Sequence, residues 1–284
     1  MIGTAESRQK EKAKGVVGGL MEASPMNLCN LPPWAIASRH FNAHPQSLEI
    51  QGVRQANRLL FERLAALDNP IERGAQFHDY MDVTFQLHQW AQETSAKGRK
   101  SLKNSYLRFL RGWMFDANSL EGAVLKGWVE SRFGLPPTFH REPIRDIHSE
   151  AYYLYMIDRM KGSARTSAIN SQFDVLFEFA QTELGRRHPG ISHLTLYRGI
   201  NDFDEHMVLE QLGKHDYLLR LNNLNSFTND FERAWEFGSK VMRTEVPLAK
   251  IVFQGDLLPS SLLKGEGELM VIGGEYQVKV LTGG

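Results

Sequence analysis

The chain has one cysteine, Cys29, so no internal disulfide can staple it and no pair of thiolates can hold a metal. Apart from one His-x-x-x-His pair, His40 and His44, its 10 histidines are scattered and none groups with the cysteine, and no dedicated metal site is expected. An excess of charge is missing as well. The 33 basic and 33 acidic side chains cancel, which removes the global field that would draw the protein to nucleic acid or to an anionic membrane surface. Long apolar runs are absent: no window reaches the roughly 18 apolar residues that a membrane span needs. The basic start around Lys10 to Lys14 leads only into an apolar stretch broken by Gly18 and Gly19, a poor signal peptide. What remains is a globular protein of a reducing compartment, expected in the cytoplasm, and its 284 residues suffice to bury a substantial core.

Two periodicities are present. Residues 1–24, rich in Lys, Gly and small side chains, read as a flexible tail. Residues 25–188 read as mainly helical. Val53, Ala56, Leu60 and Leu64 recur at helical spacing within 48–67; Phe77, Met81 and Phe85 make a second stripe, Tyr106, Leu110 and Trp113 a third, Val124, Trp128 and Val129 a fourth. Beyond the break at Pro136, Pro137 and Pro143, helices are expected over 146–161 and 167–187, the latter with Phe173, Phe177 and Ala180 in register. These aromatics read as core. After the breaker Pro189-Gly190 the period changes to 2, and residues 189–284 read as strands: HLTLYRGI, YLLRLNNLNSFT, MRTEVPLAKIVF, ELMVIG and EYQVKVL, with one helix over 230–240 among them. The fold class expected is α+β, a helical N-terminal half packed on a strand-rich C-terminal half, sharing one core if the two form a continuous domain.

Three motifs in the strand-rich half carry chemistry if their strands lie side by side. In LYRGI, Arg198 sits inside an apolar run, where a guanidinium needs a paired anion; that anion is either a phosphate gripped by the planar fork or a carboxylate at the strand end. In LNSFTND, Ser226 and Thr228 share a face and can hold a neighbouring strand's side chain in one rotamer, while Asn229 or Asp230 can cap the helix that follows. In GEGELMVIG, Glu266 and Glu268 point the same way at the entrance to an apolar strand. Like charges so placed are either a solvated strand entrance or a functional pair, one stabilising a developing positive charge and the other orienting or deprotonating a nucleophile. That division suits a glycosyl transfer through an oxocarbenium-like transition state.

An arginine strand, a Ser-x-Thr strand and a Glu-x-Glu strand in this order resemble the Arg-Ser-Glu signature of mono-ADP-ribosyltransferases. The helix after SFT, with Ala234 and Phe237, resembles the Ala-x-x-Phe helix of that class. Through NLCNLPPWAIASRHFNAHPQ, SYLRFLRGWMFDANSLEGAVLKGWVESRFGL and the later motifs, the whole chain is similar to the dinitrogenase reductase ADP-ribosyltransferase family. The resemblance implies an enzyme of the cytoplasm that moves ADP-ribose from its substrate NAD to an arginine of dinitrogenase reductase, the nitrogenase iron protein, and that responds to a PII signalling protein. It implies that Arg198 grips the NAD phosphate or nicotinamide ribose, that the Gly199 backbone bonds the nicotinamide amide, and that Ser226, with Thr228, positions Glu268. Glu268 would hold the ribose and stabilise the cation formed as nicotinamide leaves, and Glu266 would receive the acceptor guanidinium. Tyr197, Trp235 and Phe237 are candidates for stacking on the nicotinamide or adenine, or else pack in the core.

The central Thr of the family's Ser-Thr-Ser strand is Phe227 here, which by alternation faces away from the site. A second register is open, in which GGEYQV places Glu275 and Gln277 at the Glu-x-Glu positions; the glutamine would supply no charge. Two other functions remain open: an arginine-specific transferase with a different protein target, and a non-catalytic NAD-sensing regulatory module. The helical half is expected to shape the docking surface for a protein substrate.

Overall fold

The computed structural model describes residues 27–87, 105–164, 166, 168–263 and 267–282. The tail expected over 1–24 lies outside them. In the helical half, polar caps and glycines cut the chain into pieces. Helices α1 (Pro33–Ala37) and α2 (Arg39–Ala43) meet at Ser38, whose hydroxyl accepts from the Phe41 N–H at 3.1 Å. The single helix expected over 48–67 is two, α3 (Val53–Ala56) and α4 (Arg58–Ala65). Gly52 delays its start by adopting a left-handed φ of 77°, and Asn57, φ −109° and ψ 27°, interrupts it. Helix α5 (Pro70–Thr84) opens with a proline at its first position and Asn69 as cap, a combination that costs no hydrogen bond. Helices α6 (Tyr106–Phe115), α7 (Leu120–Phe133) and α8 (Glu150–Ser163) each start on a serine that accepts from a backbone N–H of the first turn. A small hairpin, β1 (Phe139–His140) and β2 (Glu142–Pro143), separates α7 from α8.

Helix α9 (Ile169–Arg187) anchors the rest. Three of its carboxylates are buried, and each reaches an arginine of another helix: Asp174 meets Arg132 at 2.8 Å, Glu178 meets Arg54 at 2.7 Å, and Glu183 holds both Nε and Nη2 of Arg73 at 2.7 and 2.8 Å. A buried carboxylate without such a partner would be strongly destabilising, so these pairs fix which helix packs where.

The strands are β3 (His193–Ile200), β4 (Met207–Gln211), β5 (Asp216–Thr228), β6 (Lys240–Pro247), β7 (Ile251–Gln254) and β8 (Glu268–Thr282), all antiparallel, in the order β4-β5-β3-β6-β8-β7. Strand β5 also pairs along β8, from Asp216 opposite Lys279 to Thr228 opposite Glu268. Consequently β3, β6, β8 and β5 close into a ring, and the seam between β3 and β5 is one residue pair, Tyr197 opposite Thr228. One apolar cluster fills the ring with Leu196, Leu219, Phe227, Met242, Val271 and Val278. A larger one lies between sheet and helices and joins Trp113, Trp128 and Phe177 to Leu224, Phe253, Met270 and Ile272. Helical and strand-rich halves thus share a core.

Three strand-region expectations need correction. The helix expected over 230–240 is a single turn, α10 (Phe231–Ala234), continued by a 3-10 turn at Trp235–Phe237, because β6 already begins at Lys240. The strand expected across MRTEVPLAKIVF is two, divided after Pro247 by a 3-10 turn at Leu248–Lys250. ELMVIG and EYQVKVL are one strand, β8, kinked rather than ended at Gly273 and Gly274. At Gly273 a Cβ would lie 1.7 Å from the Asn222 carbonyl oxygen, and Gly274 has φ 123°, so only glycine fits this crossing.

Asp230 caps α10 by accepting from the N–H groups of Glu232 and Arg233 at 3.0 and 3.2 Å. Asp230→Ala is expected to cost about 1 kcal/mol, read as a lower denaturation midpoint at unchanged slope.

Candidate active site

The seam between β3 and β5 places the first two motifs together, and β8 adds the third. Tyr197, Thr228 and Glu268 form one rank across the three strands. Arg198 turns toward β5 and donates from Nη1 to the Ser226 carbonyl at 3.0 Å. The Ser226 hydroxyl donates to Glu268 Oε1. A fourth group joins from the helical half: Trp113 Nε1 donates to Ser226 Oγ at 2.9 Å and to Glu268 Oε1 at 3.0 Å. These groups line a cleft of about 1040 Å³, walled by α6, the 201–206 turn and the 231–238 turn.

Burial pushes the Glu268 carboxyl above its ordinary pKa, while the Ser226 and Trp113 hydrogen bonds and the Arg198 charge pull the other way. The ionised form is thus held by three named groups in a site partly closed to water. On the far side of the guanidinium, Arg198 Nη2 pairs with Glu205 at 2.8 Å. A carboxylate facing a cleft beside a guanidinium can stabilise a cationic reacting centre while the guanidinium holds an anionic part of the same ligand.

The remaining expected residues fall as follows. Glu266 lies outside the described residues; Gly267 precedes Glu268 with φ 75°. Thr228 does not share the work of Ser226: its hydroxyl accepts from the Asp230 N–H at 3.1 Å and so steadies the turn into α10. Gly199 lines the cleft, yet its lack of a side chain serves packing, because a Cβ there would meet the Ala234 carbonyl oxygen at 2.1 Å. Phe227 is buried in the ring, as alternation implies. Tyr197 lines the cleft and packs edge-on against Phe231 at 5.3 Å, and Phe231 packs against Trp235 at 5.9 Å, so Trp235 reaches the cleft only through these rings. Phe237 is 65% exposed on the cleft wall.

The second register is not assembled with these groups. Glu275 pairs with Arg220 at 3.2 Å, and both it and Gln277 line a separate cavity of about 600 Å³ beside Asn42. Neither Arg198 nor Ser226 borders that cavity. Among the described residues no three His, Cys, Asp or Glu side chains converge as metal ligands, and no helix is long and apolar enough to cross a membrane.

Sequence reasoning missed Trp113, Glu205 and His206 in this cleft. Trp113 was legible only as part of a helical stripe; nothing in that stripe distinguishes a tryptophan whose indole N–H must find a partner at the edge of the core.

Comparison with known proteins gives a consistent picture. The family model described as dinitrogenase reductase ADP-ribosyltransferase matches residues 26–280. The chain is 46% identical over 257 residues to the NAD(+)--dinitrogen-reductase ADP-D-ribosyltransferase of Rhodospirillum rubrum, across 89% of this chain and 93% of that protein. No solved structure matches.

Proposed function

Because the chain belongs to the dinitrogenase reductase ADP-ribosyltransferase family, we propose that the seam of its sheet is where ADP-ribose passes from NAD to an arginine side chain of dinitrogenase reductase. The protein is an NAD-dependent ADP-ribosyltransferase, NAD is its substrate, and dinitrogenase reductase is its target. The finer reading concerns the acceptor side chain, the residues and the setting.

The observation that carries it is the double hold on one carboxylate oxygen, Glu268 Oε1, by Ser226 and Trp113. The fit to NAD is supported by a cleft at the upper end of the usual size of small-molecule sites and by a buried guanidinium nitrogen, Arg198 Nε, that makes no hydrogen bond. Glu268 stabilises the positive charge that develops on the ribose carbon as its bond to nicotinamide breaks and the electron pair leaves with the ring. Ser226 and Trp113 hold the carboxylate in the rotamer that meets this charge. Arg198 binds the anionic part of the substrate, and the Gly199 backbone offers its amide group to the nicotinamide. An arginine nitrogen of the target then forms the new bond to the ribose carbon and loses one proton. Arginine is protonated in water, so this step needs a nearby acceptor, the role the family resemblance gives to Glu266.

We take the helical and strand-rich parts as one catalytic unit, with the helical part shaping the surface that meets the iron protein. Cytoplasmic placement and a PII signalling protein as regulatory partner are carried from the family resemblance as part of this proposal. The modification would switch nitrogen fixation off.

The test is incubation with labelled NAD and dinitrogenase reductase, followed by peptide mapping. ADP-ribose on an arginine, lost when that arginine is replaced by lysine, is the expected result. Label on a different type of side chain would overturn the acceptor assignment, and NAD binding with no transfer to any protein would support the sensing module instead.

A further inference from the structure

Three nitrogens on one side of the cleft are buried without a hydrogen bond of good geometry: Nδ1 and Nε2 of His206 and Nε of Arg198. Buried polar groups are nearly always satisfied, and here Arg198 Nε has no partner while the His206 ring has at best a poorly aligned contact with the Glu205 main chain, so the corner asks for a ligand. His206 ends the turn that follows β3; its backbone N–H donates to the Phe203 carbonyl at 2.8 Å and the residue is 5% exposed. Burial first, then the positive charge of Arg198, push its pKa down to about 3 against an opposing pull from the Glu205 main chain. The ring is therefore neutral, with one donor and one acceptor.

The half-exposed Glu205 ties the turn down. Its carboxylate reaches Nη2 of Arg198 at 2.8 Å but leaves Nε, the other donor on the same edge of the guanidinium, unused. A carboxylate can take such an edge with both oxygens, and so can a phosphate. The pairing observed uses half of it.

We propose that Glu205 stands where the diphosphate of NAD binds, and that the diphosphate displaces it, engages Nη2 and Nε of Arg198 together, and hydrogen-bonds to His206. The proposal rests on reading the cleft as the NAD site. A ligand offering only hydroxyls would leave the Arg198 charge without an anion once Glu205 withdrew, whereas a diphosphate replaces one anion by another. The two nitrogens of His206 match the sequence of groups in a ribosyl phosphate: a phosphate oxygen accepts from the N–H, and a ribose hydroxyl donates to the other nitrogen. Burial pushes the pKa of the nearby Lys126 ammonium down to about 7 while the Glu205 charge pulls it up, so an anion kept at this place favours its charged form.

The experiment is equilibrium binding of ADP-ribose and of adenosine, a probe without phosphate, to the full-length protein by titration calorimetry. Glu205→Gln is expected to bind ADP-ribose roughly tenfold more tightly, a change worth about 1.4 kcal/mol, with adenosine unchanged. His206→Asn should weaken ADP-ribose by a similar factor and leave adenosine within a factor of about two. Because Glu205 is half exposed and the expected change is a gain, misfolding cannot mimic it. ADP-ribose binding that is unchanged or weaker in Glu205→Gln overturns the proposal, as does an equal loss for both probes in His206→Asn. A wild-type protein that binds neither NAD nor ADP-ribose would instead overturn the NAD reading itself.

Discussion

Glu268→Gln should retain NAD and lose transfer, with kcat falling by about a hundred- to a thousand-fold and KM for NAD changing by no more than a few-fold. The amide is isosteric and its oxygen can still accept from Ser226 and Trp113, so the geometry survives while the charge that faces the ribosyl cation disappears. Steady-state release of nicotinamide measures it, and a kcat within threefold of wild type would remove Glu268 from the centre of the reaction. Stability should move the other way. The folded protein holds the Glu268 proton more tightly than the unfolded chain does, because burial raises the pKa. Ionisation at neutral pH therefore works against folding, and this penalty fades as pH falls through the folded pKa toward the ordinary value. At neutral pH the glutamine variant should melt above wild type, with the gap narrowing on acidification. Gain in stability with loss of turnover is the signature of a carboxylate kept charged for chemistry.

Trp113→Phe tests the contribution of the helical half. Phenylalanine fills most of the space in the shared core but cannot donate to Glu268 Oε1 or to Ser226 Oγ. A hydrogen bond to a charged partner is worth about 1.5–3 kcal/mol, so kcat should drop roughly ten- to a hundred-fold with little change in KM. A purely structural role would not touch the pH profile. Here it must, because the indole bond is one of the groups that pull the Glu268 pKa down. Without it the acid limb of the kcat profile, which marks protonation of Glu268, should shift to higher pH. A lower melting temperature with the limb unmoved would leave Trp113 as core packing only.

The sequence showed the chemistry on the strands and hid what lies behind them. Arg198, Ser226 and Glu268 were legible because strand alternation fixes their faces and their order along the chain matched a known signature. The structure then brings them within hydrogen-bonding reach across β3, β5 and β8. Trp113 was hidden because its position in the apolar stripe of α6 is correct: it is 2% exposed and does belong to the core, whose edge is also the floor of the cleft. For Thr228 alternation gave the face of the hydroxyl but not its partner, which is the Asp230 N–H. Gly273 and Gly274 read as the end of a strand but let β8 run on past the Asn222 carbonyl of β5 without ending. His206 gave no signal, since a histidine that closes a turn has no periodicity.

The indole that reaches from α6 to the β8 carboxylate has a bearing on how members of this family can diverge. A target-recognition module that is merely appended can be exchanged freely, but in the site proposed here the helical half also supplies the indole N–H that holds the Glu268 carboxylate. Chimeras that swap this half between relatives to redirect target choice would have to keep Trp113 in place to a fraction of an ångström, which ties the evolution of recognition to that of the reaction.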